Sequence, residues 1–227
     1  ALYYAAFAAL DLRRAEEAKK LANQYLELFP NGAYGPDARY VIAESLVLAK
    51  DYAQAESVYR GLVKENKAHD QVETWRIRLG LMVYLQRNYQ AAVELMEPLV
   101  DQVQSDSNKA ELLFLVGACQ FQLKQFEKAA GSLQGSVSAD ARWRQADETL
   151  LYLAQSQHEL KQWDASRATI ASMQETFSKS PFMSKSFYVL GESYLASGER
   201  EEAIKAFDQV IQKWPESPFF PFSIHGK

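Results

Sequence analysis

The chain has 227 residues, 48% hydrophobic and 24% charged, which is the usage of ordinary globular proteins. A formal net charge of −4 argues against a surface devoted to nucleic acid. No apolar run reaches the ~18 residues of a transmembrane helix, and the single cysteine, Cys119, excludes an internal disulfide.

Small residues recur with a period of 37, at Ala6, Ala43, Gly80, Gly117, Ala154 and Gly191. A second small series runs through Ala18, Ala55, Ala92, Ala129, Ser166 and Ala203, and a third, mostly bulky, through Ala22, Tyr59, Met96, Leu133, Ile170 and Phe207. Between the two small series stand Ala15, Tyr52, Tyr89, Phe126, Trp163 and Arg200. Two antiparallel helices approach closely only where a side chain is small, so each pair of small positions predicts a helix crossing. The residue between them predicts the start of the second helix.

In chain order, the opening ALYYAAFAALDL is apolar but lacks the basic segment of a signal peptide and is in phase with the period, so it predicts a helix. The first repeat is expected over residues 1–30, with helices near 1–12 and 14–29, and the second over 36–66 after a Pro30–Pro36 turn, with Pro36 suited to a first helical position. The third covers 71–103, where Pro98 should kink or end the second helix. The fourth covers 108–138 behind the capping cluster Ser105-Asp106-Ser107-Asn108, the fifth 143–177 and the sixth 182–214. No join reads as a linker, so residues 1–227 are expected to form one array. The tail, 215–227, repeats the pattern of the Phe29–Pro36 join. It predicts either the start of a seventh repeat in a longer protein or a segment folded back over the last apolar face.

The stretch Ser184–Pro215 carries Phe187, Leu190, Gly191, Tyr194, Ala203, Phe207 and Pro215 in the order of a tetratricopeptide repeat, and the chain resembles that family. The resemblance implies an all-α, right-handed superhelical solenoid of about six helix-turn-helix repeats. It departs from the family in its period, 37 here against roughly 34. The additional residues are expected between units, lengthening the turn or the first helix.

The resemblance also implies a non-catalytic scaffold that binds a peptide segment or partner domain along the first helices. Carried onto this sequence, the groove residues are Tyr40, Ile77, Leu81, Tyr84, Phe114, Phe121, Leu151, His158 and Tyr188. Tyr84, Phe114 and Phe121 are the expected aromatic anchors; the alternative is that such side chains pack between adjacent first helices. The family's basic clamp for C-terminal carboxylates is missing, since its ninth position reads Phe7, Glu44, Leu81, Ala118, Gln155 and Glu192. The joins FPNGAYGP and WPESPFFP are similar to those of bacterial envelope members, the Tol–Pal coordinator of cell division and the lipoproteins of outer-membrane assembly. They favour periplasm or envelope over cytoplasm.

No nucleophile motif, phosphate loop or metal spacing is present, and His69, His158 and His225 are too dispersed for a metal site. No cofactor, catalytic residue, nucleic-acid partner or membrane insertion is expected. Self-association through exposed terminal repeats is possible on this reading. Two rivals stay open: a substrate-docking arm of a larger enzyme, and a nucleic-acid-binding helical repeat, against which Glu44, Glu111, Glu148 and Glu192 count.

Overall fold

The computed structural model describes residues 1–226; Lys227, the end of the expected tail, lies outside them. The regular structure of the described residues is helical and divides into two compact units, residues 1–101 and residues from 102 onward. The first unit holds α1 (Leu2–Asp11), α2 (Ala15–Leu28), α3 (Gly35–Leu48), α4 (Tyr52–Glu65), α5 (Val72–Leu85), α6 (Tyr89–Met96) and a 3₁₀ turn, Glu97–Leu99. The second holds α7 (Asp106–Gln122), α8 (Phe126–Ala139), α9 (Ala146–Glu159), α10 (Trp163–Thr176), α11 (Met183–Ala196), α12 (Arg200–Lys213) and α13 (Phe220–Gly226). Consecutive helices pair as hairpins, and within each unit every hairpin packs on the next through second helix to first helix. The all-α architecture of helix-turn-helix repeats is the one the period implies.

The bulky residues between the small positions, Tyr52, Tyr89, Phe126 and Trp163, are the first residues of α4, α6, α8 and α10. Pro98 lies in the 3₁₀ turn that follows α6, which has 8 residues where the other second helices have 14. Proline lacks the N–H that an α-helix would need there.

Each hairpin turns on one residue in the left-handed region: Arg13 (φ 59°), Lys50 (61°), Arg87 (62°), Lys124 (59°), Lys161 (61°) and Gly198 (86°). The next residue's N–H returns to the carbonyl five positions back, as in Arg14 to Ala9 (2.9 Å), Gln162 to Gln157 (2.8 Å) and Glu199 to Tyr194 (2.9 Å). This is a Schellman cap, repeated with the period of the sequence. Five of the six left-handed positions carry a side chain, and each is strained by roughly 1 kcal/mol relative to glycine.

The joins between hairpins account for the long period. Residues 29–34, 66–71, 140–145 and 177–182 each separate helices of about 14 residues, and 214–219 separates α12 from the shorter α13. Each join makes two successive i→i+3 turns; in the join before α11, Ser180 N–H reaches Phe177 O (2.8 Å) and Met183 N–H reaches Ser180 O (3.3 Å). The additional residues are in the turn, one of the two places expected. In the last two joins a hydroxyl ties the turn to the preceding first helix, with Ser180 Oγ donating to Asp147 at 2.7 Å and Ser217 Oγ to Ser184 Oγ at 3.0 Å.

Small first-helix residues meet the bulky series across the hairpin. A Cβ added to Gly80 would lie 2.3 Å from Met96 Sδ, one on Gly117 2.7 Å from Leu133 Cγ, and one on Gly191 2.4 Å from the Phe207 ring. Ala92, Ala129 and Ala203 are buried on the opposing helices. The first hairpin takes the same geometry with smaller parts: Ala6, Ala9, Ala18, Ala22 and Ala38 pack with Tyr25 and Val41. Cys119 is fully buried, and burial alone pushes its thiol up to about 12, so it serves as a small apolar residue.

Candidate functional site

The first helices α3 and α5 of one unit, and α7, α9 and α11 of the other, carry the nine expected groove residues. The structure sorts them into two groups. Ile77, Phe114 and Leu151 are 2%, 3% and 2% exposed and belong to the core. The Phe114 ring lies 5.4 Å from Trp143 and 6.0 Å from Tyr152, so it offers a partner almost no surface. The expectation that it anchors a ligand therefore gives way to the alternative, packing between neighbouring first helices. A first helix has neighbours on both sides, and these three side chains point between them.

Tyr40, Leu81, Tyr84, Phe121, His158 and Tyr188 are half-buried. Tyr84 belongs to the first unit, where it packs 5.7 Å from Tyr89. Phe121 belongs to the second, edge-on to Tyr152 at 5.2 Å and to Phe126 at 5.5 Å. Tyr40 sits edge-on to the buried Tyr59 at 6.4 Å. The Tyr59 hydroxyl donates to Glu44, whose carboxylate also lies 3.7 Å from Arg78 Nε. Burial first, and the Glu44 charge and hydrogen bond second, raise the Tyr59 pKa far above the usual phenol value.

In the second unit the first-helix face opens into a cavity of about 140 Å³ between α9 and α11, lined by Gln155, His158, Glu159, Tyr188, Val189 and Glu192. Two expected residues, His158 and Tyr188, thus share a cavity. Gln155 lines the cavity, and its Oε1 is itself fully buried without a hydrogen-bond donor. The Tyr188 pKa is raised by burial and then by the charge and hydrogen bond of Glu192. Behind Tyr188 the ring stacks on Phe219 at 5.4 Å.

The state of His158 follows from proton counting along a buried chain. Ser166 Oγ donates to Ala154 O at 2.8 Å, which uses its only proton. The 3.3 Å bond between Ser166 and Ser193 must then be donated by Ser193. Ser193 has no proton left for the 3.0 Å bond to His158 Nδ1, so Nδ1 carries the hydrogen. In that tautomer Nε2 is the ring's acceptor.

One turn earlier on α11, Lys185 lies 5.9 Å over the Tyr152 ring, and burial lowers its pKa while Glu148 opposes that shift. Gln155, Glu159, Val189 and Glu192 were not among the expected site residues. Gln155 and Glu192 occupy the same repeat position one period apart, which was the available signal. Among the described residues no group of three or more His, Cys, Asp and Glu could hold a metal ion, and no helix is long and apolar enough to cross a membrane.

Helical hairpins of constant period, capped by a left-handed residue and crossed at small side chains, define a helical-repeat protein with an accessible first-helix face. Residues 3–71 and 185–217 match sequence profiles of the tetratricopeptide repeat, and those two stretches are similar to repeats of that family. Among solved structures, PilF of Pseudomonas aeruginosa is 16% identical with a TM-score of 0.77, over 100% of this chain and 96% of that one. YrrB, described as a TPR protein with an unusual peptide-binding site, is 17% identical with a TM-score of 0.69, over 90% and 96%. BtubC from P. vanneervenii is 16% identical with a TM-score of 0.70, over 93% and 90%. Identities this low speak for the fold alone. No curated protein matches the chain by sequence.

Proposed function

We propose that the chain is a non-catalytic scaffold that holds a segment of another protein along the first-helix face of its second unit. The observation that carries this reading is the α9–α11 cavity, which opens at groove positions of the repeat and is lined by the carboxylates of Glu159 and Glu192. The peptide-binding site of YrrB supports the same use of the fold. A photo-crosslinking residue in place of Leu195, 40% exposed on α11, should capture one defined partner. The same residue in place of Gln134, exposed on α8, should not. Capture from Gln134 and not from Leu195 would move the site to the second helices and refute the reading.

A second contact is favoured by one patch. Tyr4, Phe29 and Tyr34 are 63%, 51% and 42% exposed, and Tyr34 stacks on Tyr3 at 4.7 Å. An aromatic surface of this kind fits self-association through the first hairpin. Sedimentation of the wild type against Tyr4→Lys/Phe29→Lys tests it, with equal behaviour counting against. The similarity of the joins to the Tol–Pal and outer-membrane-assembly members supports an envelope location, which fractionation of native cells would check.

A further inference from the structure

We infer that the α9–α11 cavity receives the guanidinium of an arginine on the bound segment; this rests on the first-helix face being the docking surface. The groups around the cavity form an acceptor set drawn from two helices. Glu159 and Glu192 are carboxylates on the lining from α9 and α11, and His158, also on the lining, has Nε2 as the acceptor left by the serine chain. Neither Glu159 nor Glu192 has a cation within ion-pair distance among the described residues, and the nearby Lys185 is engaged over Tyr152 and beside Glu148.

The period shows why no described residue supplies Glu192 with a cation. Its equivalent four repeats earlier is Glu44, which holds the Tyr59 hydroxyl and Arg78. At the positions equivalent to Tyr59 and Arg78 stand Phe207 and Gly226, without hydroxyl or guanidinium. Among the described residues, the carboxylate that the chain neutralises internally in the first unit has the Tyr188 hydroxyl and no cation in the second.

Size and geometry select the occupant. A volume near 140 Å³ suits one side-chain head, and Val189 and the Tyr188 ring offer apolar surface to its methylenes. An ammonium brings three donors, whereas a guanidinium brings five in a planar fork and meets acceptors from both helices at once. An acidic or neutral side chain would leave the carboxylates unmet.

The test uses ¹⁵N-labelled full chain titrated with N-acetyl-arginine amide, and with N-acetyl-citrulline amide as its neutral isostere. Arginine should shift the backbone amides of residues 155–159 and 188–192 and no other contiguous surface. Citrulline should bind about tenfold or more weakly, the loss expected for one charge-assisted contact. The variant Glu159→Gln/Glu192→Gln, which keeps the acceptors but removes the charge, should lose the preference for arginine. Glu159→Gln alone, at an exposed site, should reduce it in part and guards against a folding defect in the double variant. Equal shifts from arginine and citrulline, shifts elsewhere, or none at all would overturn the inference. If Leu195 still crosslinks its partner in that event, docking on this face stands and only the arginine is wrong. If arginine binds the cavity but Leu195 captures nothing, the docking reading fails instead.

Discussion

Three glycines in one hairpin should respond to the same substitution in three ways. Gly131 lies on the exposed side of α8, and a Cβ there meets nothing within 4 Å. Gly131→Ala should therefore gain most of the helix-propensity difference, about 0.8–1 kcal/mol. Gly135 would place its Cβ 3.3 Å from Leu113 Cδ1, a chain tip that can yield by a few tenths of an ångström. Gly117 faces a harder wall. Its Cβ would lie 2.7 Å from the branch carbon of Leu133, 3.0 Å from a methyl of that residue and 3.3 Å from the Ala129 carbonyl. Leu133 is 0% exposed and has no room to retreat. Overpacking of this kind costs about 1–3 kcal/mol, which exceeds or cancels the propensity gain. Because both residues are interior to helices of one hairpin, local fraying affects them alike. The gap between Gly131→Ala and Gly117→Ala isolates the contact and should be about 1–3 kcal/mol. Native-state hydrogen exchange of α7 and α8 amides reads the hairpin's own opening free energy, which global unfolding of a repeat protein would blur. Equal stability of the two variants would mean that α7 and α8 do not cross at Gly117.

Other outcomes follow from the caps, the crossings and the buried phenol. Lys50→Gly, Lys124→Gly and Lys161→Gly should each stabilise by about 0.5–1 kcal/mol by relieving a left-handed residue, whereas Gly198→Ala should destabilise by about 1 kcal/mol; thermal melts of the single variants decide both. Ala129→Trp, at a fully buried crossing, should destabilise by roughly 1–3 kcal/mol or more in urea unfolding. Folding raises the Tyr59 pKa above its unfolded value, so the fold favours the neutral phenol. That stabilisation is complete below pH ~10 and is lost as pH rises beyond it. Alkaline titration should show a phenolate absorbance step coincident with loss of helicity; Tyr59 ionising in a fully helical protein would refute the assignment.

The repeat was legible because its strongest constraint is steric. A backbone that must come within reach of Leu133 or Phe207 admits only glycine or alanine, and that restriction survives in the sequence as Gly117 and Gly191. The left-handed turn was not legible in the same way. Only Gly198 announces it; Arg13, Lys50, Arg87, Lys124 and Lys161 adopt the same backbone at a modest cost that the Schellman bonds offset. Residue type is a weak reporter where the penalty is about the size of one hydrogen bond.

The groove was harder to read than the fold for a related reason. Selecting apolar and aromatic first-helix residues finds side chains that neighbouring helices want as much as a ligand would. Ile77, Phe114 and Leu151 went to the core. What marks a free surface is a polar group whose partner is missing, and that depends on residues distant in sequence. Glu44 and Glu192 are the same residue type at the same repeat position, yet only the first has Tyr59 and Arg78 to satisfy it. The difference lies in Phe207 and Gly226, one chosen to fill the space over Gly191 and the other packed against the same ring. Core packing at the last hairpin thus takes from Glu192 the partners that Glu44 has and, among the described residues, leaves its charge without a cation.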